Sequence, residues 1–154
     1  MRHSLHTEID IEAPPEVVWE ILVDLQRYPE WNPFLVSARG TVAVGETLTN
    51  RLQPPNGKPR TFTPTVTIVD PPRTLEWLGH LGFRGIFDGR HRFELIATPS
   101  GTRLTHAEHF SGLLVRFLRR SLDDHTATGF MAMNNALKAR AERLAAERIS
   151  TNST

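Results

Sequence analysis

The chain has no cysteine, which removes disulfide bridges, thiolate nucleophiles and cysteine-ligated metals at once. An excess of one charge is missing as well. Its 18 basic and 17 acidic side chains give a formal net charge of +1, a balance that argues against nucleic acid or an anionic membrane as the main partner. No apolar run approaches the roughly 20 residues that a membrane-spanning helix needs. The first twelve residues are polar at alternate positions, without the apolar centre of a signal peptide. The expectation is a cytoplasmic protein with no integral membrane association: one domain over residues 1–149 and a frayed tail over 150–154.

Leu5, Thr7, Ile9 and Ile11 alternate with His6, Glu8 and Asp10, the period of a half-buried strand. Pro14-Pro15 ends it. Val18, Trp19, Leu22 and Leu25 then recur at helical spacing behind a proline suited to a first turn, predicting a helix to about Asp24. Tyr28-Pro29-Glu30-Trp31 allows one more short turn, because Pro33 drives Asn32 out of the helical region. Short strands follow over Phe34–Arg39 and Thr47–Leu52, and then the loop 54–59, a candidate mobile cavity rim. Thr61–Ile68 reads as a strand with an edge or bulge at Pro64, and Thr74–Trp77 as another. Alternation from Phe83 to Leu95 and from Thr102 to Phe110 gives two longer strands.

Leu122, Thr126, Phe130, Met133, Leu137, Ala141 and Leu144 recur at helical spacing, with Lys138/Glu142 and Arg143/Glu147 four apart on the polar side. One long terminal helix results. Before it, residues 113–120 read as a lid or as the helix's first turns, with Arg116, Arg119 and Arg120 forming a solvated face or a site for an anionic group. The order of elements specifies an α+β domain: a curved antiparallel sheet of six to seven strands around a long C-terminal helix, with two short helices after the first strand.

Four stretches carry a family likeness: Ala13-Pro14-Pro15-Glu16-Val17-Val18-Trp19, the turn Tyr28 to Phe34, Gly89 to Leu95 and Thr102 to Gly112. With them the chain resembles the START/SRPBCC superfamily of helix-grip domains, in particular its polyketide cyclase/dehydrase-like bacterial branch. The resemblance implies an elongated cavity between sheet and terminal helix, large enough for a hydrophobic ligand. The superfamily includes lipid and hormone binders, aromatase/cyclases and chaperone activators, so fold alone assigns no activity.

The residue pattern supplies a matching lining: Phe62, Trp77, Phe87, Phe93 and Phe110 from the sheet and Phe130, Met133 and Leu137 from the helix, with Trp31 as a further candidate for stacking on a ligand. Gly85 and Gly89 leave gaps on the same face, for ligand or for curvature. If residues 98–101 form a tight hairpin loop, Ala97 faces Thr102, His91 faces Glu108 and Phe93 faces His106. An imidazole beside a carboxylate favours the charged form of both, so His91 and Glu108 form a candidate acid/base pair with His106 one step along, or else a cross-strand ion pair. His106/His109 and His3/His6 sit three apart on strands and point to opposite faces, and no nucleophile-elbow or phosphate-loop motif occurs. No metal and no cofactor are expected.

Three functions fit. The first is binding of a hydrophobic, lipid-like or polycyclic small molecule, with His91, His106 and Glu108 meeting its polar end. The second is an aromatase/cyclase-type enzyme using His91, Glu108 and His106 for proton transfer. The third is a chaperone-activator-like protein-binding module, for which Ile86 and Ile96 give little apolar surface on the outer strand face. A monomer or a homodimer is compatible with all three.

Overall fold

A computed structural model describes residues 2–153, apart from the side chains of residues 118–124. Strand β1 (Arg2–Ile11) leads into helix α1 (Pro15–Val23), a 3-10 turn (Leu25–Arg27) and helix α2 (Tyr28–Trp31). Strands β2 (Leu35–Arg39), β3 (Thr49–Leu52), β4 (Arg60–Phe62), β5 (Thr65–Asp70), β6 (Thr74–His80), β7 (Asp88–Thr98) and β8 (Gly101–Ser111) follow, and helix α3 (Val115–Asn152) closes the chain.

The eight strands form two antiparallel sheets, ordered β1-β8-β7-β6-β5 and β2-β3-β4. The count exceeds the expected six to seven because the segment around Pro64 is two strands. Proline has no N–H to give a ladder, and the chain leaves the small sheet at Phe62 and enters the large one at Thr65. The sheets touch there: Leu48 N donates to Pro64 O at 2.8 Å, and Thr47 bridges Thr65.

Residues 83–87 are also not strand. Gly82 and Gly85 take φ of 75° and 88°, conformations cheap only for glycine, and Phe83 projects outward with 82% of its surface exposed. The alternation seen in the sequence belongs to β7 only from Asp88, whose carboxylate accepts the Gly85 N–H and pairs with His80.

Helix α3 lies across the sheets with Phe130, Met133, Leu137 and Ala141 fully buried, against Val18 and Leu22 of α1 and Leu75, Phe93 and Leu104 of the large sheet. It begins at Val115, within the segment read as lid or first turns; Leu118, Arg119 and Arg120 of that segment, and Leu122 of the helical stripe, have side chains outside the described residues. At the far end it continues through Asn152. There the hydroxyls of Ser150, Thr151 and Ser153 donate to carbonyls four residues back, and of these the Ile149 carbonyl is one that the last turn leaves open. Arg140 pairs with Glu30 at 2.7 Å and Arg148 with Glu20 at 2.6 Å, fixing the helix's direction over α2 and α1, although exposed pairs of this kind contribute under about 1 kcal/mol each.

One contact sets how closely α3 approaches. The buried Gly129 faces the ring of Phe34, and a methyl on Gly129 would overlap that ring. Alanine in mid-helix usually gains up to about 1 kcal/mol over glycine. Here we expect Gly129→Ala to lose about 1–3 kcal/mol by overpacking, seen as a lower urea midpoint with an unchanged slope; a raised midpoint would show that the Phe34 ring is free to move aside.

Candidate functional site

The β7–β8 hairpin turns with Thr98 paired to Gly101, which places His91 opposite Glu108 and Phe93 opposite His106, the register expected from the sequence. All four point inward, toward α3. His106 is fully buried, its ring stacked on Phe130 at 3.8 Å between centroids, and His91 stacks on Trp77 at 4.9 Å.

These polar groups form one chain of contacts. Thr7 Oγ1 on β1 donates to the His106 carbonyl at 2.9 Å, so its lone pair is free to accept from Asn134 Nδ2 of α3, also at 2.9 Å. That fixes Asn134 Oδ1 as an acceptor, and His106 Nδ1 must donate to it at 2.7 Å. A neutral His106 then offers a lone pair at Nε2, and His91 Nε2 donates there at 2.7 Å. The last lone pair, on His91 Nδ1, faces Glu108 Oε2 at 3.7 Å. Thr7, Asn134, His106 and His91 are hydrogen-bonded in series with both imidazoles neutral, and the 3.7 Å to Glu108 exceeds hydrogen-bond reach, leaving the proton of a neutral carboxyl there free.

Burial explains that state. It pushes the His91 imidazole down to about 3, and it drives His106 well below the ordinary histidine value, helped by the neighbouring His91. It pushes Glu108 up to about 8, with His109 opposing weakly. The attraction expected between a charged imidazole and a carboxylate is therefore overruled: removing both charges from water costs more than their mutual attraction returns. Another glutamate shows what compensation looks like. Glu76, on the opposite face of the large sheet, is buried as well, and burial alone would raise it, yet hydrogen bonds from Thr67, Arg90 and Arg92 hold it below the ordinary glutamate value. Glu108 has no arginine or lysine paired with it among the described residues.

Beside Glu108 opens a cavity of about 130 Å³ between the two sheets and α3. Of the residues singled out in the sequence, Phe62, Trp77, Phe87, His91, Glu108 and Phe110 line it. Phe93, His106 and Phe130 stand behind His91 as packed rings, and Met133 and Leu137 lie deeper in the core. Trp31 is elsewhere: it borders a surface groove of charged residues between α1 and α3, including Glu20, Asp24, Arg140 and Arg143. Its ring packs edge-on against Tyr28 at 5.2 Å.

Sequence reasoning missed Asn134 and Thr7 in the polar chain and Asn50 in the cavity wall. Gly89, read as ligand space or curvature, makes room for Glu108. A Cβ there would lie 2.6 Å from Glu108 Oε1, so any larger residue would push the carboxyl from its place against the strand.

A family model described as "Polyketide cyclase / dehydrase and lipid transport" matches residues 2–147. Among solved structures, the chain is similar to protein MLL2253 from Mesorhizobium loti, at 24% identity over 92% of this chain and 98% of that one, with a TM-score of 0.71. It is similar to the Zhui aromatase/cyclase from Streptomyces sp. R1128, at 19% identity over 93% and 95%, TM-score 0.76. It also matches the di-domain ARO/CYC StfQ from the steffimycin biosynthetic pathway, at 13% identity over 94% of this chain and 52% of that one, TM-score 0.77. At these identities the likeness is one of fold. Among curated proteins nothing matches.

Proposed function

The chain belongs to the polyketide cyclase/dehydrase and lipid transport family, and from that membership we propose that it binds a hydrophobic, ring-containing small molecule in the cavity beside Glu108. The observation that carries this reading is the pairing of an aromatic lining with a carboxyl kept in its acid form at neutral pH. A neutral carboxyl donates a hydrogen bond, so Glu108 would meet a carbonyl or ether oxygen on the ligand. His91 and His106 hold that carboxyl's surroundings neutral rather than touching the ligand as cations. The volume suits one ring as it stands; small-molecule pockets commonly span roughly 300–1,000 Å³, so larger ligands would need the rim around Leu52, Phe62 and Leu81 to part.

Native mass spectrometry of the purified protein, followed by extraction under denaturing conditions, tests the reading. The expected result is a one-to-one apolar adduct, absent from a folded Thr126→Trp variant whose new ring fills the wall that α3 contributes. An adduct retained equally by that variant would place binding outside the cavity.

A second reading has its own support in the hydrogen-bonded series from Thr7 to His91, which ends beside Glu108. As an aromatase/cyclase-type catalyst, the protein would use Glu108 to give a proton to a carbonyl oxygen of a folded polyketide-like chain, with the free lone pair of His91 Nδ1 beside it and His106 fixing the orientation of that imidazole. Turnover of such a substrate that disappears in Glu108→Gln while binding persists would establish it; binding without turnover would leave the binding role alone.

A further inference from the structure

The cavity holds a second polar group that nothing in the fold employs. Asn50 lies on β3, its side chain in the cavity wall and only 2% of the residue exposed. Among the described residues its buried Oδ1 has no hydrogen-bond partner. Among the other buried amides, Asn32 Nδ2 is likewise unpaired, but Asn32 does not line the cavity and its oxygen is used by the backbone. Asn134 is bonded at both ends, and Asn32 Oδ1 caps the turn into β2 by accepting the N–H groups of Phe34 and Leu35.

An unpaired buried amide costs about 1–3 kcal/mol. Leucine would fit the neighbourhood better: Leu48 and Leu52 are the inward positions two residues either side, and Leu35 of β2 borders the same space. A polar side chain that is a burden to the folded state, with an unpaired oxygen on a residue that lines a cavity, is one whose partner comes from outside the chain.

We infer that Asn50 is a specificity-determining residue whose amide pairs with a hydroxyl on the ligand, so that the preferred ligand is a ring compound with two oxygen functions: an acceptor facing Glu108 and a hydroxyl facing Asn50. The two groups come from different sheets, Asn50 from the small one and Glu108 from the large one. A ligand held by both therefore bridges the cavity and is oriented within it. This rests on the reading of the cavity as a ligand site and specifies the chemistry that site selects. The amide can accept the hydroxyl proton or donate to the hydroxyl oxygen, so hydroxylated rings are favoured over apolar analogues of the same shape.

The test uses 4-hydroxyacetophenone and 4-methylacetophenone, which match in size and share the carbonyl but differ in the hydroxyl. Ligand-observed NMR gives the affinity of each for the wild-type chain and for Asn50→Leu, and thermal unfolding is followed alongside. The expected result is that the hydroxyl compound binds the wild type at least tenfold tighter, that this preference vanishes in Asn50→Leu, and that the variant unfolds at the same temperature as the wild type or higher. A preference unchanged in Asn50→Leu overturns the inference while leaving the cavity a ligand site. A variant that melts several degrees lower overturns it too, by showing that the amide has a structural role. Failure of both compounds to bind the wild type overturns the inference together with the reading of the cavity.

Discussion

Replacing Glu108 by glutamine removes an alkaline loss of stability that the wild-type protein should show. In the unfolded chain this carboxyl titrates near 4.5, and in the folded state at about 8. Between those values the folded state binds the extra proton, so stability declines as pH rises through the window. From pH 6.5 to pH 9 the decline amounts to about 2 kcal/mol, because a tenfold change in proton affinity corresponds to about 1.36 kcal/mol and the loss saturates above the folded-state value. The 17% of the side chain that stays exposed makes this an upper figure. Glutamine has the shape of the acid and no proton to lose, so Glu108→Gln should be nearly flat over that range, as read by urea denaturation at successive pH values.

The acid side has the opposite sign. His91 binds its proton near 6.5 when unfolded and at about 3 when folded, and His106 is shifted the same way. Below pH 6.5 the unfolded chain therefore takes up protons that the folded one refuses, and stability falls as pH drops. From 6.5 down to 4.5 two histidines act against one carboxyl, so the net change is still a loss. The site thus contributes a stability maximum near pH 6.5, and in Glu108→Gln only the acid limb of that maximum remains. A wild-type curve that is flat above pH 6.5 would contradict the assignment.

Asn134→Leu should be among the most damaging single changes in the molecule. It strips the His106 Nδ1 proton of its acceptor and Thr7 Oγ1 of its donor, and a buried group so orphaned costs about 1–3 kcal/mol. With both groups stranded we expect a loss of about 2–4 kcal/mol in chemical denaturation. The double variant His106→Phe/Asn134→Leu should recover much of it. Phenylalanine has no proton to strand and keeps a ring against Phe130, which His106 now stacks on at 3.8 Å, although His91 Nε2 then loses its acceptor. A double variant as unstable as the sum of its parts would mean the polar chain is not acting as a unit.

Much of this was readable from the sequence, for a simple reason. A tight hairpin over residues 98–101 and strict period-two alternation leave one register, and that register alone brings His91 to Glu108 and Phe93 to His106. The helical stripe Phe130, Met133, Leu137 and Ala141 was equally plain. Asn134 and Asn50 escaped because their importance depends on which distant element each faces. A faint signal did exist: Asn134 falls four residues after Phe130 on the buried side of α3, and Asn50 interrupts the inward series Leu48, Asn50, Leu52. A polar residue in an inward position needs a partner, and asking for it would have singled out both.

The charge state of the Glu108 site departs from the sequence expectation because proximity is visible in the sequence and burial is not. Opposite charges attract at any depth, but the cost of dehydrating them grows as water is excluded, and here burial is the larger effect for His91, His106 and Glu108 alike. The residues from Phe83 to Phe87 illustrate a different limit. Their alternation was genuine, but Gly82 and Gly85 at positive φ turn the chain instead of extending it. For Trp31, the turn was correctly placed while the side chain's direction depended on where α3 crosses α2.

The decisive experiment is a titration of the Glu108 side chain itself, by 13C NMR of carboxyl-labelled glutamate with Glu108→Gln as the assignment control. The expected result is a carboxyl still protonated at pH 7, with its midpoint at about 8. A midpoint near the ordinary 4.5 would be the contrary result: Glu108 would then be a charged carboxylate, unable to donate to a ligand oxygen, and the cavity would lack the donor on which the proposed function rests.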